Sequence, residues 1–260
     1  MKSACFTGCS LTVGEGFAPD QRDQFIYDRL VAERCGFQRT NLAKGGNSNH
    51  EIFLTAARAI PQEFDIIFVQ WSALNRIWLY PGPDCEWFTN DGQPEFRYRE
   101  LFLDHKSKSL FQEQLLMMNH DYHNIFFLVD YCHILEKLAK YHGKNLVFIN
   151  GLVPWCDDLI NPVGKDLASS LSDYSKSILD FDHRDDAEII QLFSKLHQKM
   201  ITVDLSKWVN IWQSFQKLTV DVGPLGHHPG MKSHAIMADL IVQHLVRSKI
   251  CEVDQKYQKC

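Results

Sequence analysis

A recurring pattern, in which a short apolar segment is followed by a stretch with helical periodicity, constrains the fold of this chain more than any other feature. Five strand-sized apolar segments predict strands over residues 4–7, 37–42, 64–71, 145–150 and 200–204. The third of them is almost continuously apolar, which is typical of a strand buried on both faces of a parallel sheet. The pattern therefore predicts an α/β fold with three α/β/α layers around a five-stranded, mainly parallel sheet.

Helical periodicity between these strands predicts the outer layers, with helices over residues 20–33, 51–60, 101–118, 122–140, 186–198 and 232–247. Ser48 and Glu51 have the spacing of a capping box at the start of the second helix, and Pro61 ends that helix. Sheets of this kind bind ligands beyond the carboxyl ends of their strands. We therefore expect a functional site in the segments that follow the strands.

Charge and cysteine content exclude several classes of function. Lysine and arginine number 27 against 32 aspartate and glutamate, a net charge of −5, which gives no basis for binding nucleic acid or an anionic membrane surface. The apolar runs are too short to span a membrane, and residues 3–11 lack the apolar core of a signal peptide. The eight cysteines contain no C-x-x-C pair. We therefore expect a cytoplasmic protein with reduced thiols and no metal site.

The first and last of the segments that follow strands carry a serine and two histidines. Ser10 follows the first strand in a turn that Gly8 permits, where its hydroxyl can point out from the top of the sheet. His227 and His228 lie in a Gly- and Pro-rich loop before the last helix, and a histidine is the natural general base for a serine. Taken alone, Ser10 fits better as a turn serine that bonds its own backbone, whereas the two histidines fit a structural role as well as a catalytic one. His234, inside the helix, fits a packing or capping role.

The second and third segments offer hydrogen-bond donors. Gly45 and Gly46 form a turn that opens a helix, where exposed backbone N–H groups point away from the sheet. Asn75 follows the third strand, and its amide can donate to a carbonyl oxygen as that oxygen gains negative charge. Residues in and around these segments are the candidate substrate-binding residues: Asn47, Asn49, Trp71, Arg76 and His227.

Together, the four segments resemble the sequence blocks of the SGNH/GDSL hydrolase family along residues 4–245. The family's Gly-Asp-Ser-Leu block is similar to Gly8-Cys9-Ser10-Leu11, where an inward-pointing cysteine replaces the aspartate. Its Asn-x-Gly-x-x-Gly block is similar to residues 41–46. Its Gly-x-Asn block is similar to residues 73–75, with alanine in place of the glycine. Its last block, Asp-x-x-His-Pro, resembles His228-Pro229.

The resemblance implies a flavodoxin-like SGNH fold and an esterase that cleaves small acyl groups, often acetyl groups on carbohydrate, without a metal or organic cofactor. It implies that Ser10 is the nucleophile and His228 the general base. It also implies an oxyanion hole formed by the N–H groups of Ser10 and Gly46 and by the Asn75 amide. The family places the orienting acid three residues before the histidine, whereas the candidate here, Asp221, lies seven residues before it. Three arrangements stay open: the intervening loop brings Asp221 back to the ring, the site is a Ser/His dyad, or His227 and His228 exchange roles.

The predicted domain organisation is a single domain over residues 1–250 with a tail over 251–260. Two irregular insertions, at about 76–99 and 154–185, extend this domain, and aromatic residues in the first suit either sugar faces or a local hydrophobic cluster. Two alternatives to an esterase stay open: an O-acyltransferase that uses the same site, and a catalytically silent module that binds glycan or a partner protein. The sequence contains no indication of the oligomeric state.

Overall fold

A parallel sheet lies at the centre of the structure, a computed structural model that describes residues 1–73, 121–152, 202–210, 214–226 and 228–252. Its strands are β1 (Ser3–Thr7), β2 (Gln38–Asn41), β3 (Ile66–Trp71) and β4 (Asn145–Asn150). Their order is β2-β1-β3-β4, that of a doubly wound sheet, which confirms the α/β fold with a parallel sheet. Four predicted segments lie outside the described residues: the insertions at about 76–99 and 154–185 and the helices over 101–118 and 186–198.

The central strands form the core because their side chains are apolar on both faces. β3 is buried at every position, as its continuous apolar run predicts. Phe6 of β1 lies in register with Phe68 of β3, and the two rings stack with centroids 4.3 Å apart. Burial of one such ring stabilises the fold by about 2 kcal/mol. The same hydrophobic cluster includes Ala4 and Leu245, so both ends of the described chain contribute to one core.

The described residues contain six α-helices: α1 (Ser10–Val13), α2 (Pro19–Phe25), α3 (Tyr27–Cys35), α4 (Asn49–Ala59), α5 (Asp121–Tyr141) and α6 (Met231–Arg247). The predicted helix over 20–33 is interrupted at Ile26, which is extended with φ −75° and ψ 145°, so that α2 and α3 are separate. The predicted capping box of α4 is confirmed, since Ser48 and Glu51 each accept a hydrogen bond from the other's backbone N–H. None of the described helices is long and apolar enough to cross a membrane.

The helices pack on both faces of the sheet. α3 connects β1 to β2 and α4 connects β2 to β3, so the two crossovers run in opposite directions across the sheet. Because such crossovers are right-handed, α3 and α4 lie on opposite faces. α5 packs beside α4, and α6 packs beside α3. The direction of connection reverses between β1 and β3, and ligands of doubly wound sheets bind at the carboxyl end of that boundary.

The predicted fifth strand, over residues 200–204, is not a strand where the structure describes it. The chain there enters a 3₁₀ helix, Leu205–Lys207, whose start is capped by the Asp204 carboxylate. Trp208 then makes a single parallel bridge with Phe148 of β4. The side-chain cap favours a helical turn over an extended segment, so this part of the chain makes an isolated bridge with β4 rather than a strand, and the described sheet has four strands.

Candidate active site

Ser10 lies at the start of α1, directly beyond the carboxyl end of β1 at its boundary with β3. The residue is only 4% exposed. Cys9, the N-cap residue, is extended and makes no side-chain cap, so it does not occupy the free N–H groups of the first helical turn. The turn is tight, because a Cβ on Gly8 would lie 2.3 Å from Oγ1 of Thr12. The strand-to-helix turn predicted for Ser10 is therefore present, and it requires the glycine that precedes it.

A buried network of hydrogen bonds between side chains connects this turn to β3. The Thr12 hydroxyl donates to Oε1 of Gln70 at 2.6 Å and lies 2.7 Å from the Tyr27 hydroxyl. Nε2 of Gln70 donates to Sγ of Cys9 at 3.4 Å. Cys9 is fully buried, which confirms its inward orientation and keeps its thiol away from any substrate. The sequence pattern does not reveal the role of Gln70, because it shows only one polar residue in an apolar strand.

The Gly45-Gly46 turn is hydrogen-bonded to the turn that precedes Ser10. The backbone N–H of Lys44 and the side-chain amide of Asn47 both donate to the Gly8 carbonyl, at 3.3 Å and 3.1 Å. Gly46 has a φ of 78°, a left-handed conformation that favours glycine. Asn47, predicted to bind substrate, therefore uses its amide to hold the turn beside the start of α1.

Asn49, the first residue of α4, holds the end of β3. The N–H of Ser72 donates to Oδ1 of Asn49 at 2.7 Å, and Nδ2 of Asn49 donates to the Ala73 carbonyl at 3.3 Å. Asn49 was also predicted to bind substrate. Its amide is instead engaged in positioning the segment that leads towards the predicted oxyanion residue.

Of the remaining predicted binding residues, one is a core residue and two lie, like the predicted oxyanion donor Asn75, outside the described part of the chain. Trp71 is 1% exposed, and its ring stacks on Phe148 with centroids 5.8 Å apart. It is therefore a core residue rather than a substrate contact, because β3 is buried on both faces up to its last position. Asn75, Arg76 and His227 lie outside the described residues.

The loop over residues 221–230 is closed by its own backbone contacts, and these fix His228. The N–H of Gly223 donates to the His228 carbonyl at 2.8 Å, and Val222 and Pro229 form an antiparallel bridge. The His228 side chain is 29% exposed. Its backbone is thus restrained while its ring stays open to solvent.

Asp221, the predicted orienting acid, caps α6 and makes no ion pair with His228, although the structure describes both residues. Its carboxylate accepts hydrogen bonds from the N–H groups of Lys232 and Ser233, at 2.9 Å and 2.8 Å, and from the Ser233 hydroxyl at 2.5 Å. Partial burial raises the pKa of Asp221, but these hydrogen bonds outweigh it, and the net pKa lies below its ordinary value. The Asp221 carbonyl also accepts from Gly230 at 2.9 Å, which closes the loop.

Glu15 is the acidic residue beside His228. Its Oε2 atom is 3.8 Å from Nε2 of His228, and its side chain is 36% exposed. A Cβ on Gly45 would lie 1.7 Å from Oε1 of Glu15, so the carboxylate also lies against the Gly45-Gly46 turn. The N–H of Glu15 donates to the Ser10 carbonyl at 3.1 Å. Glu15 therefore contacts three of the four predicted segments, and its only sequence signal is an acidic residue between two glycines.

His234 differs from His228 in being part of the core. It is 1% exposed, and its Nδ1 atom accepts a hydrogen bond from the N–H of Tyr27 at 3.2 Å. Phe17, Tyr27 and Phe215 surround the ring. Burial lowers the pKa of His234 to about 4, against an opposing effect of Asp221. The packing role predicted for this histidine is confirmed.

Acyl transfer is the chemistry that these groups can support, since they combine a hydroxyl, an imidazole and backbone N–H donors. No direct hydrogen bond joins Ser10 Oγ to the His228 ring among the described contacts, and Nε2 of His228 faces Glu15. Hydrogen bonds between catalytic groups are often long until substrate binds. In the described part of the chain, no group of three or more His, Cys, Asp and Glu residues is placed to hold a metal ion.

Solved structures similar to this chain are an acyltransferase and carbohydrate esterases, whereas no protein-family model and no curated protein matches the sequence. A Corynascus thermopiles (Myceliophthora fergusii) carbohydrate esterase family 2 enzyme with a carbohydrate binding domain has a TM-score of 0.48 and 11% identity, over 95% of this chain and 66% of that one. A salicylyl-acyltransferase from a tetracycline biosynthetic pathway has a TM-score of 0.44 and 11% identity, over 97% and 57%. An acetyl xylan esterase from the rumen bacterium Butyrivibrio proteoclasticus has a TM-score of 0.40 and 16% identity, over 96% and 64%. The chain thus spans 57–66% of the length of these three structures.

Proposed function

We propose that the protein is a serine ester hydrolase that removes small acyl groups, such as acetyl, from carbohydrate. Ser10 is the nucleophile, and His228 takes its proton as the hydroxyl attacks the ester carbonyl. His228 then gives this proton to the departing sugar oxygen, and the sugar leaves as an alcohol. Ser10 carries the acyl group until water, activated by His228, releases it as the carboxylic acid and restores the Ser10 hydroxyl. The observation that carries this proposal is the meeting of the Ser10 turn, the Gly45-Gly46 turn and the His228 loop around Glu15.

Backbone donors stabilise the oxyanion in this proposal. The N–H groups of Ser10 and Gly46 and the amide of Asn75 are the assigned donors. The N–H of Ser10 belongs to the first turn of α1, which has no intrahelical acceptor and no side-chain cap, and Gly46 is left-handed and lies outside the helices and strands. Both features support the two backbone assignments. Loss of one such donor typically costs about 3 kcal/mol of transition-state stabilisation.

Two carboxylates assist His228 in different ways. Glu15 lies 3.8 Å from Nε2 and favours the charged imidazolium that forms during attack, but both side chains are partly exposed, so the contact is worth under about 1 kcal/mol. Asp221 acts at a distance by closing the loop and capping α6. His228 and Ser10 therefore work as a dyad whose geometry depends on Asp221.

A second candidate function is binding of an acylated glycan without turnover. The lack of a direct hydrogen bond between Ser10 Oγ and the His228 ring favours it. A third possibility, an O-acyltransferase, uses the same acyl-enzyme and differs only in the acceptor, since a sugar hydroxyl replaces water.

Labelling and turnover of the full chain test the proposal. A fluorophosphonate should label Ser10, as located by peptide mass spectrometry, and the protein should hydrolyse 4-nitrophenyl acetate and an acetylated xylo-oligosaccharide. Ser10→Ala should abolish labelling and turnover. The matched control, Ser3→Ala, lies at the other end of β1 and should retain both.

The remaining outcomes separate the candidates. Folded wild-type protein that is neither labelled nor active, yet binds the acetylated oligosaccharide in calorimetry, contradicts the hydrolase and supports the binding module. Transfer of the acetyl group to added sugar in preference to water supports the transferase.

A further inference from the structure

Two thiols from opposite ends of the sequence lie side by side at the amino end of the sheet. Cys35 ends α3 and Cys251 follows α6. Their sulfur atoms are 3.3 Å apart, although the residues are separated by 216 positions in the sequence. A disulfide bond is about 2.05 Å long, so closure requires each sulfur to move by about 0.6 Å.

Both thiols are accessible from one cavity. Cys35 and Cys251 are half-buried and line a cavity of about 310 Å³ that opens at the amino ends of β1 and β2. The other described cysteines are buried: Cys5, Cys9 and Cys132. A small reagent can therefore reach the pair without unfolding of the core, and it does so at the end of the sheet opposite to Ser10.

A positive charge lies next to one of the two sulfurs. Nζ of Lys2 donates to the Ile250 carbonyl at 2.6 Å, which holds the ammonium beside Cys251. The hydrogen bond with Cys35 lowers the pKa of Cys251, partial burial raises it, and Lys2 lowers it further, with a net downward shift. The hydrogen bond with Cys251 and burial raise the pKa of Cys35. Cys251 is therefore the thiol that ionises first, and the thiolate is the nucleophilic form.

We propose that Cys35 and Cys251 form an oxidisable pair that closes to a disulfide when the protein meets a low-molecular-weight disulfide such as oxidised glutathione. This site is independent of the proposed ester hydrolysis. It replaces the expectation of inert reduced thiols at these two positions.

The reaction is an ordinary thiol–disulfide exchange. The Cys251 thiolate attacks one sulfur of glutathione disulfide, which forms a mixed disulfide and expels one glutathione thiolate. Cys35 then loses its proton to solvent, and its sulfur attacks Sγ of Cys251 and expels the second glutathione thiolate. Two protein thiols are oxidised, and one glutathione disulfide is reduced to two glutathione thiols.

The disulfide would connect two helices that already pack together. Arg34 of α3 pairs with Asp239 of α6, so the bridge closes an interface that exists in the reduced protein. Because it joins residues near the two ends of the chain, it restricts the unfolded state strongly. We expect the melting temperature of the oxidised protein to rise by at least about 5 °C, reversibly with dithiothreitol.

Peptide mapping tests the proposal on the full chain. Reduced protein is incubated with glutathione disulfide at pH 7.5, free thiols are alkylated, and the digest is analysed without reduction. We expect a cross-linked peptide pair containing Cys35 and Cys251, and the shift in melting temperature. Cys251→Ser should abolish both, whereas Cys260→Ser, which removes the nearest other cysteine in the sequence, should retain both.

Two results would overturn the proposal. One is recovery of alkylated Cys35 and Cys251 from oxidised wild-type protein. The other is a disulfide that joins Cys251 to a different cysteine. Ester turnover is not a readout, so failure of the Ser10 assignment leaves the result of this experiment intact.

Discussion

His228 and His234 lie six positions apart, one in the closing loop and one inside α6, yet their surroundings are opposite. The His228 side chain is 29% exposed and faces the carboxylate of Glu15. His234 is 1% exposed, is enclosed by aromatic rings and has its Nδ1 atom occupied by a backbone N–H. Burial, rather than closeness in sequence, distinguishes the two imidazoles, since the ring of His234 is enclosed by the core and the ring of His228 is open to solvent.

The largest expected effect separates the two histidines by activity. His228→Asn should lower kcat/KM for 4-nitrophenyl acetate by at least about 10³-fold, because it removes the general base, while the free energy of unfolding changes by under about 0.5 kcal/mol. His234→Gln is the matched variant and should keep turnover per folded molecule within about tenfold. Equal loss of activity in both variants would mean that the assignment of the base is wrong.

The next effect separates them by the pH dependence of stability. The unfolded chain protonates its histidines below a pH of about 6.5, whereas folded His234 stays neutral down to a pKa of about 4. The contribution of His234 to stability is therefore complete above pH 6.5 and is lost as the pH falls towards 4, by up to about 3 kcal/mol. Urea unfolding of wild type and His234→Gln between pH 4.5 and 7.5 measures it.

Asp28 makes the variant comparison necessary in that experiment. Burial raises the pKa of Asp28 to about 6 against the lowering effect of Arg39. A raised carboxyl pKa gives stability the opposite pH dependence, since the contribution of Asp28 to stability is lost as the pH rises from about 4 to 6. The difference between wild type and His234→Gln cancels this term, and a difference that does not change with pH would contradict the prediction.

A smaller effect tests how Asp221 serves the two histidines. Asp221→Ala removes three hydrogen bonds at the start of α6 and should destabilise the protein by about 1–2 kcal/mol while lowering kcat/KM by about tenfold or less. An acid that orients a catalytic histidine directly is worth about 10⁴-fold in kcat. A loss of that size in folded Asp221→Asn protein would restore the triad role and contradict the capping role.

The smallest expected effect is on the free energy of unfolding, and it tests the contact between Glu15, the neighbour of His228, and the Gly45-Gly46 turn. Gly45→Ala places a Cβ 1.7 Å from Oε1 of Glu15, but this flexible carboxylate can move aside, so we expect a cost of about 1 kcal/mol. Glu15→Ala should remove most of that cost in the double variant. Denaturant unfolding of the four proteins gives the coupling energy, and a value near zero would show that Glu15 does not lie against Gly45.

Local structure was predictable wherever it depends on neighbours in the sequence. The bounds of β4 match the predicted 145–150 segment, and the Ser48 and Glu51 capping box forms as predicted. Periodicity could not reveal the break at Ile26, because one extended residue leaves the helical spacing on either side almost unchanged. Nor could it exclude a helical turn at residues 205–207, where a single side-chain cap competes with strand formation.

The site was predictable in its segments but not in its contacts. The turn around Ser10 follows from residue types and their order along the chain, and the inward orientation of Cys9 follows from the family resemblance. The contact of Glu15 with His228, the support from Gln70 and the capping role of Asp221 depend on which loops meet above the sheet. The sequence cannot distinguish one carboxylate or one histidine from another, because their roles depend on the partners that the fold brings to them.

The sequence by itself determined the alternation of strands and helices, and with it the parallel sheet and the edge at which post-strand residues gather, because hydrophobic periodicity and local hydrogen bonds act over a few residues. The tertiary structure alone decided that the imidazole of His234 is buried and that the Glu15 carboxylate lies beside the imidazole of His228. It also decided that Cys35 contacts Cys251, 216 positions away in the sequence. Such contacts depend on how distant elements pack, and chain order does not specify that packing residue by residue.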